Sequence, residues 1–297
     1  MSGQSFDMEK YTRAAEVFKK VFKESARLIN VGAKVIDICE RIESELVSRG
    51  LSLAFPVNIS INDIAAHYTS KTGDQLTIRE GDLVKVDIGA HLDGHIIDAA
   101  YTVTFDDKWN SLVECAKDAV ELAIRMCRPG VRTSEIGSAV ERFIKEKGFR
   151  PVENLTGHQI LPYRLHGKKS VPAVGSSLGA KMEKGEVYAI EIFPTTGRGH
   201  VVDTRYGYIF SFNGLRTVKN ATAHNIMSYI MRKYPSLPFA ERWISKELNI
   251  NAMPALKLLV NAGAVHEYKV LQEITNAVVS QAEHTIVITD EGAEVIA

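Results

Sequence analysis

The sequence has few cysteines, no surplus charge of either sign and no apolar run long enough to cross a bilayer. Its three cysteines, Cys39, Cys115 and Cys127, are odd in number and lack metal-ligand spacing. That excludes a disulfide scaffold and a cysteine metal site, and it points to buried thiols in a reducing compartment. Thirty-six basic side chains balance thirty-six acidic ones, so no net field draws the chain to nucleic acid or to an acidic membrane surface. No stretch approaches the roughly 20 apolar residues that a membrane helix needs. The start, Met1-Ser2-Gly3-Gln4-Ser5-Phe6-Asp7, has no signal-peptide pattern. Low-complexity and linker-like segments are also missing. The expectation is a soluble, cytoplasmic protein, whose 297 residues allow one large domain or two ordinary ones with a substantial core.

What is present centres on the stretch from Lys85 to Tyr101, two β-rich arms joined at Asp93-Gly94. That dipeptide suits a two-residue hairpin turn because both residues accept positive φ. Such a turn sets Asp87 opposite Ala100, and alternation puts Asp98 on the same face. Two acids this close, flanked by Val86, Ile88, Ile96 and Ile97, resist ionising unless a cation lies between them. A metal-binding hairpin follows, although the hairpin alone leaves an exposed turn with incidental acids as the alternative.

The chain also repeats itself. Gly32 to Leu51 matches Gly130 to Phe149 at a constant offset of 98 residues, with Gly32/Gly130, Asp37/Glu135, Ile38/Ile136, Glu43/Glu141 and Gly50/Gly148 in register. Each copy follows another amphipathic helix. Strands align too: Gly81–Ile88 with Gly185–Ile192, and Gly94–Asp98 with Gly199–Asp203, so Glu191 is the counterpart of Asp87. The fold class expected is α+β, two helix-plus-antiparallel-sheet halves about a pseudo-twofold axis with Asp87 and Glu191 across a shared cleft. Three short helical segments, Ala221 to Lys233, Pro238 to Leu248 and Ala252 to Gly263, have no counterpart in the first half. They predict a core at 1–210 completed by 268–297, with a helical subdomain inserted at 211–267.

Asp87, Asp98, Glu191 and Glu283 on strands, with His158 in a Gly-preceded loop, form the candidate site. Four carboxylates neutralise two divalent cations and an imidazole adds a neutral fifth ligand, a set that suits cobalt, manganese, iron or zinc. Glu283 and His284 are neighbours on a strand and face opposite ways, so only one can be a ligand. His91, His95, His200, His224 and His284 are expected at the surface or beside the site. Phe55, Pro56, Ile160 and Tyr268 are candidate walls of an apolar substrate pocket.

The ordered set of Asp87, Asp98, Gly157-His158, Glu191-Ile192-Phe193-Pro194-Thr195-Thr196-Gly197 and Gln281-Ala282-Glu283-His284-Thr285 resembles the pita-bread metallopeptidases, and among them the methionine aminopeptidases. Ala54-Phe55-Pro56, Asn62-Asp63-Ile64-Ala65-Ala66-His67-Tyr68-Thr69 and the helical insert resemble the type 2 enzymes in their short archaeal form. The resemblance implies two divalent ions, Asp87 chelating one, Asp98 and Glu283 bridging both, His158 and Glu191 completing the second. It implies Glu191 as proton shuttle, His67 and His166 as catalytic residues contacting substrate, and removal of the initiator methionine before a small second residue. The partners implied are nascent N-termini, with the ribosome as a candidate, no nucleic acid substrate, no membrane, and a monomer. Two other readings stay open: an X-Pro peptidase of the same fold, which usually carries a sizeable N-terminal domain, and a non-catalytic pita-bread binding protein, which would have lost ligands.

Overall fold

Two pairs of amphipathic helices set the framework. In the computed structural model, which describes residues 7–297, they are α1 (Met8–Ser25), α2 (Val35–Ser48), α3 (Asn110–Met126) and α4 (Thr133–Glu146). Residues 1–6, the start read as lacking a signal peptide, lie outside the described residues. The bounds of α2 and α4 differ by the same 98 positions as their sequences. Gly32 and Gly130, which lead into them, hold nearly the same left-handed φ, 86° and 87°, a conformation that admits glycine at no steric cost. The duplication seen in residue types is thus also one of backbone.

The strands are β1 (Ser52–Leu53), β2 (Asn58–Ile61), β3 (Ile64–Ala66), β4 (Leu83–Leu92), β5 (His95–Thr104), β6 (Arg150–Pro151), β7 (Thr156–Ile160), β8 (Ser170–Pro172), β9 (Val187–Ile192), β10 (Pro194–Thr195), β11 (Val201–Phe212), β12 (Phe239–Ala240), β13 (Val265–Glu273), β14 (Ala282–Ile288) and β15 (Ala293–Val295). The main sheet runs β1-β4-β5-β14-β9-β7-β8, with β2 also on β4 and β15 on β14. Its approximate twofold passes between β5 and β14, and the Asp87 and Glu191 strands flank that central pair. Asp93 and Gly94 turn the β4-β5 hairpin with φ of 49° and 86°, and Asp87 pairs with Ala100 as expected.

One alignment does not carry over. The segment matching Gly94–Asp98, Gly199–Asp203, enters β11 of a separate sheet ordered β12-β11-β13-β3, and β14 takes the seat beside β9 that β5 takes beside β4. β11 instead pairs with β13, which follows the helical segment in sequence, and β14 lies along β9.

Packing divides the main sheet into two faces. Val84, Val86, Ile88 and Ala90 of β4 point towards α1 and α2, in a core with Phe18, Ile42 and Leu46. Tyr188, Ile190 and Ile286 do the same with Ala119, Ile136 and Val140 of α3 and α4. Alternation then sends Lys85, Asp87 and Gly89 to the opposite face. The helices α5 (Ala221–Lys233), α6 (Glu241–Leu248) and α7 (Met253–Asn261) form a third core with Phe210, Phe239 and Val265. α6 starts three residues later than predicted because Phe239 and Ala240 pair with β11. It is keyed to the rest of the chain by a buried ion pair between Arg242 and Glu43. Glu43 also accepts from Val57 N at 3.0 Å and Trp243 Nε1 at 2.9 Å.

Candidate metal centre

Register alone assembles the site. Asp87 pairs with Ala100, Ala100 with Glu283, and Glu283 with Glu191, so one row across β4, β5, β14 and β9 carries three carboxylates. The next row holds Gly89 opposite Asp98 and Ala189 opposite His158. Between them the Thr285 hydroxyl accepts from Asp98 N at 2.8 Å and donates to Asp98 O at 2.7 Å. Neighbouring strands lie about 4.8 Å apart, and residues two apart on a strand about 6.8 Å. Five donor side chains therefore converge in a patch two rows deep, spaced by the small residues Gly89, Ala100 and Ala189. Glu283 and His284 do face opposite ways.

The distances match that geometry. His158 Nε2 stands 3.6 Å from Asp98 Oδ2 and 3.6 Å from Glu191 Oε1. One donor atom each from Asp98, His158 and Glu283 lies within 4.8 Å of the others. The Gln281 amide reaches Glu283 Oε2 at 3.3 Å and Asp87 Oδ2 at 3.5 Å.

Electrostatically the cluster is short of positive charge. Burial pushes Asp87 up to about 7, against the Gln281 amide. Asp98, Glu191 and Glu283 rise well above the usual carboxylate range, through burial first and then the charge of neighbouring carboxylates, Asp87 among them in each case. Burial and then His166 take His158 down to about 3, so its ring is neutral. Among the described residues no Lys or Arg forms an ion pair with any of the four acids. Lys85, fully buried on the same face, instead donates to Asn62 O at 3.0 Å and Val279 O at 2.8 Å.

A cavity of about 350 Å³ opens over the cluster. Its lining includes all five donors, His67, His166, Phe55 and Tyr268. His67 follows β3 with a φ of 64°, strained for a residue with a Cβ. Its Nδ1 contacts the Lys269 carbonyl at 3.1 Å. A carbonyl only accepts, so Nδ1 carries the proton and Nε2 presents a lone pair. Burial lowers the pKa of His67, and dehydration in the cleft, with His67 nearby, takes His166 down to about 4. Both rings are neutral near pH 7. The His166 ring lies 4.4 Å from that of His158, and Tyr268 meets His67 edge-on at 5.8 Å.

Some expectations need correcting. Ile160 does not line the cavity: it is 2% exposed in the core, roofed by the loop after β7, and Leu165 of that loop lines the cavity instead. Pro56 is buried and is also absent from the lining. His91 and His95 are buried about the hairpin turn, away from the cavity. Sequence reasoning missed Gln281, Asn58, Ile209 and Pro238. Asn58 sits opposite Asp87 on β2 and lines the cavity. A period-2 reading of β2 from Asn58 would have put it on the carboxylate face. Pro238 places the helical segment on the cavity's rim.

Asp87 Oδ1 and Asp98 Oδ1 are buried without a hydrogen-bond partner among the described residues, a costly state that a cation relieves. Together with Glu191, Glu283 and one neutral imidazole, these two carboxylates form a donor set that fits divalent metal.

The model of metallopeptidase family M24 matches residues 9–290. The methionine aminopeptidase of Pyrococcus abyssi is 40% identical over 284 residues, 95% of this chain and 96% of that protein. A solved structure of a thermophilic Arx1 superposes with TM-score 0.85 at 23% identity, covering 97% of this chain and 90% of the other. The methionine aminopeptidase of Thermotoga maritima superposes with TM-score 0.70 at 20% identity, covering 97% and 95%. Duplicated halves closing over an acidic, metal-fitting cluster define a pita-bread metallohydrolase. The chain belongs to metallopeptidase family M24.

Proposed function

We propose that this chain is a cytoplasmic, monomeric aminopeptidase of the type 2 archaeal form. It removes the N-terminal methionine from nascent proteins and from peptides with a small second residue. The observation that carries the reading is the convergence of Asp87, Asp98, Glu191, Glu283 and His158 in one cavity, beneath two neutral histidines. Asp87, Asp98 and Glu283 would hold one divalent ion, and Asp98, Glu283, His158 and Glu191 a second. Cobalt, manganese, iron or zinc so bound supplies Lewis acidity, lowering the pKa of water and stabilising negative charge on the carbonyl oxygen.

The chain's own residues do the rest. Glu191, at the β9 end of the carboxylate row, takes a proton from the attacking water and passes it to the leaving amine. His67, with its proton held on Nδ1 by Lys269 O, offers Nε2 as acceptor to the amide nitrogen of the scissile bond. Neutral His166 donates to the carbonyl oxygen as charge develops there. Phe55, Tyr268, Ile209 and Pro238 enclose the thioether. Phe55 reaches the carboxylate face only because residue 89 is glycine: a methyl group there would overlap its ring.

The test is a panel of Met-Xaa and Xaa-Pro peptides with manganese, iron, cobalt and zinc. Met-Ala and Met-Gly peptides should be cut, and Met before a bulky residue should not. Preferential cleavage before proline would assign the chain to the X-Pro peptidases, and inactivity with every metal to the non-catalytic relatives. His67→Ala and His166→Ala should each lower kcat about 10²–10³-fold with bound metal near normal. Loss of metal would instead make these side chains ligands.

A further inference from the structure

The loop after β7, which carries His166, meets the hairpin that carries Asp87 and Asp98 at the hairpin's tip. There Tyr163 N–H donates to Gly94 O at 3.0 Å. The Tyr163 ring lies flat enough on Gly94 that a methyl group at that glycine would overlap it. Gly94 N in turn donates to His91 Nδ1 at 3.1 Å, and the buried His91 ring meets the Tyr163 ring edge-on at 5.5 Å. Tyr163 itself holds a left-handed φ of 56°, a conformation a bulky residue keeps only where its surroundings enforce it. The ring is 40% exposed, so core burial does not account for it.

From this anchor the loop is stiff up to His166. Leu161 and Arg164 exchange backbone hydrogen bonds at 3.0 and 2.8 Å, Arg164 Nε donates to His166 O at 3.0 Å, and Gly167 N returns to Gln159 O at 2.6 Å. We infer that Tyr163 is a positioning residue: seated on Gly94 and braced by His91, it locks the His166 loop to the hairpin that bears two of the ligand carboxylates. A shift of the hairpin tip is thereby transmitted to His166, and the histidine keeps its place relative to Asp87 and Asp98. The inference rests on the catalytic role proposed for His166.

The test uses the cobalt-loaded full chain with a Met-Ala-Ser peptide and four variants: Tyr163→Phe, Tyr163→Asn, His166→Ala and the Tyr163→Asn/His166→Ala pair. Asparagine tolerates the left-handed backbone, so Tyr163→Asn removes the ring without forcing the loop to refold. The contact uses the ring and the backbone N–H, so Tyr163→Phe should stay within about twofold of the parent. Tyr163→Asn should lower kcat by about 10- to 100-fold, with KM and cobalt stoichiometry little changed. In the His166→Ala background it should add almost nothing, because residues acting through one another are not additive. Full activity of Tyr163→Asn beside an impaired His166→Ala would overturn the inference and leave the function standing. So would equal losses in both backgrounds, or loss of cobalt with the ring. An unimpaired His166→Ala would instead remove the role assigned to His166 and this inference with it. Should Tyr163→Asn not fold, Gly94→Ala displaces the same ring from the other side, and the same cycle with His166→Ala decides.

Discussion

Replacing Asp98 with asparagine should make the metal-free protein more stable while crippling metal binding. Asp98 is 3% exposed and has a carboxylate oxygen within 4.8 Å of one from Glu283. At an effective dielectric constant near 20, two full charges at that separation repel by about 3 kcal/mol, which sets the scale of the relief from an uncharged isostere. The folded-state pKa values of all four acids are raised, that of Asp87 to about 7. In the folded metal-free chain these four acids therefore bind more protons than in the unfolded one, so the cluster's contribution to stability is greatest at low pH and falls as pH rises through the folded values. The advantage of Asp98→Asn should accordingly be small at pH 5 and largest at pH 8. Taking about 2 °C per kcal/mol for a chain of this size, the gain at pH 8 is about 6 °C in Tm. Calorimetry of chelator-treated protein from pH 5 to 8, repeated with cobalt, measures it. Cobalt should raise the Tm of the parent far more than that of the variant. A variant less stable than the parent at pH 8, or a difference that ignores pH, would refute the argument that unpaired carboxylate charge strains the site.

Two further outcomes follow from single contacts. Gly89→Ala places a methyl group into the Phe55 ring and should cost about 1–3 kcal/mol of stability by overpacking. Its KM for Met-Ala peptides should also rise, and an unchanged KM would detach Phe55 from the substrate pocket. Glu273, 1% exposed, accepts from Thr275 N and Oγ1 at 2.6 Å, Arg198 N at 2.6 Å and Ala277 N at 3.2 Å. Burial alone would raise its pKa, but these donors hold it below the usual value of 4.5. Its stabilisation is thus present above that value and lost as pH falls through the depressed folded one. Glu273→Gln should therefore lower stability by about 1–3 kcal/mol at pH 7. In urea titrations at pH 7 and pH 3 the deficit should shrink at the lower pH, and one that grew there would reverse the sign.

The carboxylate rows were readable where local chemistry dictates register. Asp93-Gly94 specifies a two-residue turn, a two-residue turn specifies that Asp87 meets Ala100, and alternation supplies Asp98. Glu191 followed from the repeat because the second copy keeps the glycine and apolar positions ahead of its strand. Strand pairing across the middle of the sheet was not readable, since nothing near Glu283 says that β14 will lie between β5 and β9. The far part of β11 was hidden for another reason. Its pairing with β13 breaks register on either side of Gly207, so Thr204 to Tyr208 lack the alternation that marks a strand. Ile160 shares a face with His158, and only the return of the loop through Gly167 N and Gln159 O decides that it is covered.

The position of β14 carries a consequence for how the molecule is made. A ribosome delivers both flanks of the main sheet, through Ile192, well before it delivers Ala282, and until then β5 and β9 have open edges facing one another. The nascent molecule therefore holds a gap where its catalytic floor will be, and one late segment both seals that seam and brings Glu283. Maturation and competence should coincide in time, leaving no half-built form that can turn over substrate.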